Sequence, residues 1–289
     1  MNGEASGGRG PYTITPDQLE ARLGAPYLRV IDGSWYLPAQ NRDAKAEFAT
    51  SRIPGAAYFD IDAVSDQSSS LPHMLPTPEA FAKASGALGV SETDDIVVYD
   101  GPGVFSAPRV WWMFRMMGAK RVRVLDGGFD RWKSDGRPIE TGSPAQPKPA
   151  KFQADFNTGA VADIDDIRAT IKSGAAQILD ARPYDRFTGQ TPEPRPGLRG
   201  GHMPGAKSLP IAELTDNGRL KDIDALKQIF EELAVGEGKP TITSCGSGVT
   251  AAVISLALET AGYSAHRLYD GSWSEWGQAD NAPVARWED

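Results

Sequence analysis

Cysteine is almost absent from this chain: one residue, Cys245, in 289. A single thiol excludes an internal disulfide framework and suits a reducing compartment. Histidine is nearly as scarce, with three scattered residues, and one cysteine with three distant histidines does not make a zinc site. Positive charge is also short: 30 Lys and Arg against 38 Asp and Glu leave a formal net charge of −8. That balance argues against nucleic acid as a partner, since phosphate binding needs a basic face. No apolar run reaches the length of a membrane span, and the opening Met1-Asn2-Gly3-Glu4-Ala5-Ser6 lacks a signal-peptide core. Cytoplasm is the expected compartment, with no membrane partner and no cofactor.

What is present is an ordinary globular composition, 40% hydrophobic and 24% charged, in a length that suits two domains. Residues 1–10 are glycine-rich and polar and are expected to be disordered. Thr15-Pro16-Asp17 predicts a helix start, with threonine at the N-cap and proline in the first turn. Leu28 to Ile31, Ile96 to Tyr99 and Val122 to Leu125 predict strands. Pro78 to Leu88 and Ala107 to Met117 predict helices. Arg52 to Asp62 reads as a turn running into a short strand. From Thr141 to Lys151 the chain turns to Pro, Ala, Ser and Lys without periodicity, an extended linker.

Beyond the linker the same series returns. Ile178-Leu179-Asp180 repeats the strand end at Ile31-Asp32, and Met203-Pro204-Gly205-Ala206 repeats Ile53-Pro54-Gly55-Ala56. Ser244 to Val249 lies over Tyr99 to Val104 at an offset of 145, and Tyr269 to Trp276 over Leu125 to Trp132 at 144. The chain is an internal duplication. Alternating strands and helices make each half α/β with a mostly parallel sheet, whose site belongs at the carboxyl ends of the strands. The expected division is residues 1–143, a linker at 144–160, and residues 161–289.

Cys245 falls at such a strand end. Thr241 to Ser244 reads as a short buried strand after Pro240, and the Ala- and Leu-rich run from Ala251 reads as a helix stopped by Gly262. The glycines at 246 and 248 let the backbone turn so that N–H groups point at the sulfur, and the helix dipole adds to them. Such a cradle stabilises a thiolate or an anionic sulfur species attached to it. A lone cysteine is also a common small core residue, but a loop apex is a poor place to bury one. The first half carries Asp100 at the equivalent position, which cannot accept sulfur. That half reads as a scaffold in which Asp100 is dispensable.

Cys245-Gly246-Ser247-Gly248-Val249-Thr250 resembles the active-site loop of the rhodanese superfamily, specifically of the 3-mercaptopyruvate sulfurtransferases, and the resemblance covers residues 12–287. It implies two tandem rhodanese-like domains, the first without a catalytic cysteine. It also implies that sulfur passes from 3-mercaptopyruvate through a Cys245 persulfide to a small thiol or a thioredoxin-like dithiol protein, releasing pyruvate. By the same resemblance Arg186 and Arg195, nine residues apart in a Pro- and Gly-rich loop, hold the substrate carboxylate and keto oxygen. Ser247 relays a proton or bonds the substrate, and the backbone of Gly246, Gly248, Val249 and Thr250 lines the site and holds the persulfide. Asp62 completes a Cys–Ser–Asp relay, and His73 lies near the substrate.

From the residues alone, Asp62 reads equally as a turn cap, His73 as a solvated histidine, and the two arginines as surface ion pairs. Arg182 and Arg199 read as structural or solvated, Asp126 and Asp270 as loop braces, and Trp35, Trp111, Trp112, Trp273 and Trp276 as core or interface. Three competing functions are weighed. A cysteine-dependent phosphatase needs an arginine six residues after the cysteine, and position 251 is alanine. A thiosulfate:cyanide sulfurtransferase suits basic residues after the cysteine, where Gly246 and Ser247 are neutral. A non-catalytic sulfur-sensing module would not need Cys245, Ser247, Arg186 and Arg195 together.

Overall fold

The computed structural model describes residues 10–236 and 238–286, so the expected disorder near the amino terminus lies, Gly10 apart, outside the described residues. Five parallel strands form the first sheet: β1 (Thr13–Ile14), β2 (Leu28–Asp32), β3 (Ala57–Tyr58), β4 (Asp95–Tyr99) and β5 (Arg121–Leu125). Their spatial order is β1-β5-β4-β2-β3. The second half repeats this with β6 (Val161–Ala162), β7 (Gln177–Asp180), β8 (Lys207–Ser208), β9 (Thr241–Ser244) and β10 (His266–Tyr269), in the order β6-β10-β9-β7-β8. The duplication seen in the sequence is therefore a duplication of topology. The central strands are covered on both faces: Ile96 to Tyr99 and Thr241 to Ser244 are buried throughout.

The helix after each central strand explains why the halves do not separate. Ala107–Met116 and Ala251–Ala261 are apolar nearly all round, which requires cover on two sides. Each lies against its own sheet on one side and against the other helix on the opposite side. Trp112 and Met113 share a single core with Ile254 and Leu258. Arg115 and Glu259, towards the helix ends, pair at 2.6 Å. An interface that is continuous with the core makes a rigid junction.

The linker is docked rather than extended into solvent. Glu140–Thr141 pairs antiparallel with Ser51–Arg52, and Phe152 is buried against Phe81 and Phe114. Ala150 donates to the Gly86 carbonyl, and Asp155 to that of Met117. The Gln153 N–H donates to Glu92 Oε2 at 2.8 Å.

The helix predicted at Thr15 is present over Pro16–Glu20 with a capping box between Thr15 and Gln18. Asp62 does not sit on a strand. Asp60 accepts the Ala63 N–H and starts the short helix Ile61–Val64, which carries Asp62 on its first turn. Asp60 is the capping residue of that pair, which leaves the Asp62 carboxylate free to point elsewhere.

Candidate active site

Cys245 follows the last residue of β9. Its carbonyl accepts from the Trp273 N–H at 2.9 Å, and the Gly246 carbonyl accepts from the Ser274 N–H and hydroxyl at 2.8 and 2.7 Å. Gly248 turns the loop with φ 79°. With the carbonyls held outward, the N–H groups of Ser247, Gly248, Val249 and Thr250 meet no acceptor among the described residues, and the helix Ala251–Ala261 begins directly after them. Contrary to the expectation of an open loop apex, Cys245 is only 1% exposed. It lies at the wall of a cavity of about 210 Å³ formed between the two halves. A space this small suits a small acid better than a peptide.

Arg186 and Arg195 both line that cavity. Glu193, on the same loop, bridges Arg186 and the buried Arg182, the latter at 2.7 Å. Arg182 also grips Asp180 at 2.8 Å. Within this cluster three guanidinium groups meet two carboxylates, so one positive charge remains to attract an anion. Burial pulls the Arg195 guanidinium below its ordinary value, and the Cys245 sulfur facing it opposes that shift. Both arginines lie over Gly246, where a Cβ would stand 3.2 Å from Arg186 Nη2 and 4.0 Å from Arg195 Nη1. A long basic side chain at 246 would collide with them.

The first half supplies three further groups. His73 Nδ1 is 2.9 Å from Ser247 Oγ, and His73 Nε2 is 3.0 Å from Asp62 Oδ1. A carboxylate accepts only, so Nε2 carries the proton and Nδ1 accepts from the serine hydroxyl. The hydrogen bond from His73 is the main cause holding the Asp62 carboxyl below its ordinary value, with Trp35 Nε1 assisting at 3.1 Å. The direct Cys–Ser–Asp relay expected from the sequence is thus interrupted by His73. His73 stands behind Ser247 and is not a cavity-lining residue, and neither is Gly248, whose carbonyl faces Arg109. Val249, Thr250, Gly246 and Ser247 do line the cavity.

Trp35 lies at the interface between the halves: with Leu37 and Phe105 it forms the cavity wall contributed by the first half, and its ring meets His73 edge-on at 4.8 Å. Trp111, Trp112, Trp273 and Trp276 are core. Arg199 is structural, donating to the carbonyls of Trp276, Gly277, Ala279 and Ala282. Asp270 does more than brace its own turn, because it accepts from Leu75 N–H in the first half at 2.7 Å. Sequence reasoning missed Glu193 and Arg109. Arg109 had a signal, a charge in the first turn of a helix whose only other charge, Arg115, lies at its far end.

The equivalent loop of the first half shows what such a cradle does with an anion. The Asp100 carboxylate accepts the N–H of Gly103 at 2.6 Å, and those of Phe105, Ser106 and Ala107 at 2.9, 2.7 and 2.8 Å. Burial still leaves its carboxyl above the ordinary value, because the four N–H groups only partly offset desolvation.

Twin parallel α/β halves with one cysteine in an N–H-lined loop are the architecture of the rhodanese class. The Rhodanese-like domain family matches residues 15–135 and 163–279, and the chain belongs to that family. It is 46% identical to the 3-mercaptopyruvate sulfurtransferase of Escherichia coli K12 over 94% of this chain and 97% of that one. It is 43% identical to the human 3-mercaptopyruvate sulfurtransferase over 88% and 86%. The thiosulfate/3-mercaptopyruvate sulfurtransferase 1 of Arabidopsis thaliana is 39% identical over 94% and 77%. Among solved structures, that of SseA from Escherichia coli, described as a 3-mercaptopyruvate sulfotransferase, superposes with a TM-score of 0.83 at 42% identity, covering 91% and 98%.

Proposed function

We infer that this chain is a 3-mercaptopyruvate sulfurtransferase, an enzyme that takes sulfur from 3-mercaptopyruvate onto a cysteine and releases pyruvate. The observation that carries the reading is the meeting of Cys245, Arg186 and Arg195 in one small cavity, beside the close likeness to relatives of that name. The catalytic half is residues 161–289, joined by residues 144–160 to a first half, 1–143, that lends side chains but no nucleophile.

The chemistry follows from the geometry. Arg186 and Arg195 hold the carboxylate and keto oxygen by charge-assisted hydrogen bonds. The Cys245 thiolate attacks the substrate sulfur, the carbon–sulfur bond breaks, and its electron pair leaves on the pyruvate enolate. The arginines offset the developing charge on that enolate. Ser247 relays the Cys245 thiol proton to His73 Nδ1, and the resulting imidazolium, supported by Asp62, returns that proton through Ser247 to the enolate carbon. The outer sulfur stays on Cys245 as a persulfide, with the N–H groups of the loop as its donors, as Asp100 uses those of Gly103 and Phe105, the equivalents of Gly248 and Thr250. A small thiol or a dithiol protein then attacks the outer sulfur and restores Cys245.

The test is steady-state turnover of mercaptopyruvate against thiosulfate with one acceptor, together with intact-mass analysis of the enzyme after donor alone. Mercaptopyruvate is expected to be the better donor and to add one sulfur to the wild type and none to Cys245→Ser. Turnover by the serine variant would overturn the persulfide route. Faster use of thiosulfate would move the substrate assignment to the second donor that the Arabidopsis relative's name includes.

A further inference from the structure

Arg109 belongs to the first half yet makes its polar contacts around the second half's loop. It is wholly buried in the first turn of the helix Ala107–Met116, with its guanidinium 4.7 Å from the Trp112 ring. Nη2 donates to the His73 carbonyl, and Nη1 reaches the Gly248 carbonyl at 3.4 Å. Nη2 is also 2.7 Å from Asp270 Oδ1, an ion-pair contact rather than an aligned hydrogen bond. The other oxygen of Asp270 accepts the Leu75 N–H. One buried ion pair therefore grips the chain on both sides of Met74 and, in the same grip, the turn of the Cys245 loop.

We propose that Arg109, held by Asp270, is a positioning residue that fixes the separation of His73 from Ser247 across the junction of the two halves. The proposal rests on the sulfurtransferase reading for its kinetic consequence, though not for its geometry. Arg109 does not line the cavity and cannot touch substrate there. His73 is a non-glycine residue at φ 61°, a conformation that persists only where its surroundings over-determine it. The guanidinium on its carbonyl supplies that constraint. The loop side is equally tight, since a Cβ on Gly248 would stand 3.1 Å from Arg109 Nη1 and 2.9 Å from the Asp270 carbonyl oxygen. Lysine cannot replace this fork, because a point charge on a flexible stem does not span two carbonyls and a carboxylate.

Two variants test it: Arg109→Lys, and the pair Arg109→Met with Asp270→Asn. The second avoids leaving an unpaired buried charge, which by itself can unfold a protein. Displacing a proton donor by about an ångström costs on the order of 100-fold, so kcat per titrated Cys245 is expected to fall about 10- to 100-fold. KM for mercaptopyruvate should stay within about threefold, since Arg186 and Arg195 are untouched. An independent readout is the NMR spectrum of the imidazole rings, of which there are three. The His73 signal, edge-on to Trp35, is expected to move, while those of His202 and His266 stay. A purely structural arginine would lower the melting temperature and the yield but leave kcat per site and the His73 signal at wild-type values, and that result overturns the proposal. Should the paired variant fail to fold, Arg109→Lys decides by the same two readouts. If the wild type failed to use mercaptopyruvate, the functional reading would fall while the ring signal still judged the positioning.

Discussion

The loops at 100–107 and 245–252 share a fold, an offset and a glycine turn, with φ 82° at Gly103 and 79° at Gly248. They differ in what sits inside. In the first half Asp100 fills the cradle with its own carboxylate. In the second, Cys245 leaves the N–H groups facing a cavity. An aspartate oxygen is two atoms beyond Cβ, as the outer sulfur of a cysteine persulfide would be, so the first half shows how a cradle of this shape holds an anion at that distance. The surroundings differ as well. The turn between Thr215–Asp216 and Arg219–Leu220, from the second half, closes over the Asp100 loop: Gly218 accepts the Gly127 N–H at 3.1 Å, and a Cβ on Gly103 would stand 2.3 Å from its carbonyl oxygen. The Cys245 loop instead opens on a space whose far wall is Trp35, Leu37 and Phe105. Duplicated backbone became one site and one brace, and each half completes the other.

The largest effect should come from the groups that the second half has and the first lacks. Arg186→Ala and Arg195→Ala each remove a charged contact to a carboxylate, worth about 2–4 kcal/mol. kcat/KM for mercaptopyruvate should then fall roughly 30- to 1000-fold, at about 1.4 kcal/mol per tenfold. Steady-state kinetics of the two variants checks this, and full activity in either would break the claim that only the second half grips substrate.

Asp100 comes next. Sequence alone gives Asp100 no part in the chemistry, and its four N–H bonds make it a structural brace. Two of these donors, Ser106 and Ala107, begin the helix Ala107–Met116, which has no side-chain cap of its own. Asp100→Ala should cost about 2–3 kcal/mol of unfolding free energy. It should also lower kcat/KM by about tenfold, because Phe105 is held by Asp100 and lines the cavity. Denaturant titration and kinetics on the same preparation would separate the two effects. The variant Asp100→Cys sharpens the comparison further: mass analysis after mercaptopyruvate should still show one added sulfur, and two would mean that the first half's cradle is open.

The smallest effect on activity, confined to stability, concerns the strand ends beside these loops. Asp180 holds the Arg182 guanidinium, whereas its counterpart Asp32 has Ser34 where Arg182 would be and accepts the Ser34 N–H at 2.9 Å. Burial raises the Asp32 carboxyl from an ordinary 3.8 to about 6. The folded value lies above the unfolded one, so the contribution of this group is complete below about 3.8 and is lost as pH rises through about 6. Asp32→Asn removes that loss. Relative to wild type, the variant should therefore gain about 2–3 kcal/mol in unfolding free energy between about pH 4 and pH 7. Urea denaturation at both pH values measures it, and parallel behaviour of the two proteins would show that Asp32 carries no such burden.

The sequence by itself determined the duplication, the α/β class, the strand–loop–helix around Cys245 and the two loop arginines. All of these are local, or repeat at a fixed offset, and a pattern of that kind is written in consecutive residues. The apolar runs at Ile96 to Tyr99 and Ala251 to Leu258 announce burial on two sides without saying what covers them. Tertiary structure alone decided the contacts between the halves. Residues 73 and 247 are 174 positions apart, and 109 and 270 are 161 apart. No periodicity links such pairs. That His73 stands between Asp62 and Ser247, and that Trp35 faces the cavity, follow from how two apolar helices pack, because that packing brings the carboxyl ends of both sheets to one place.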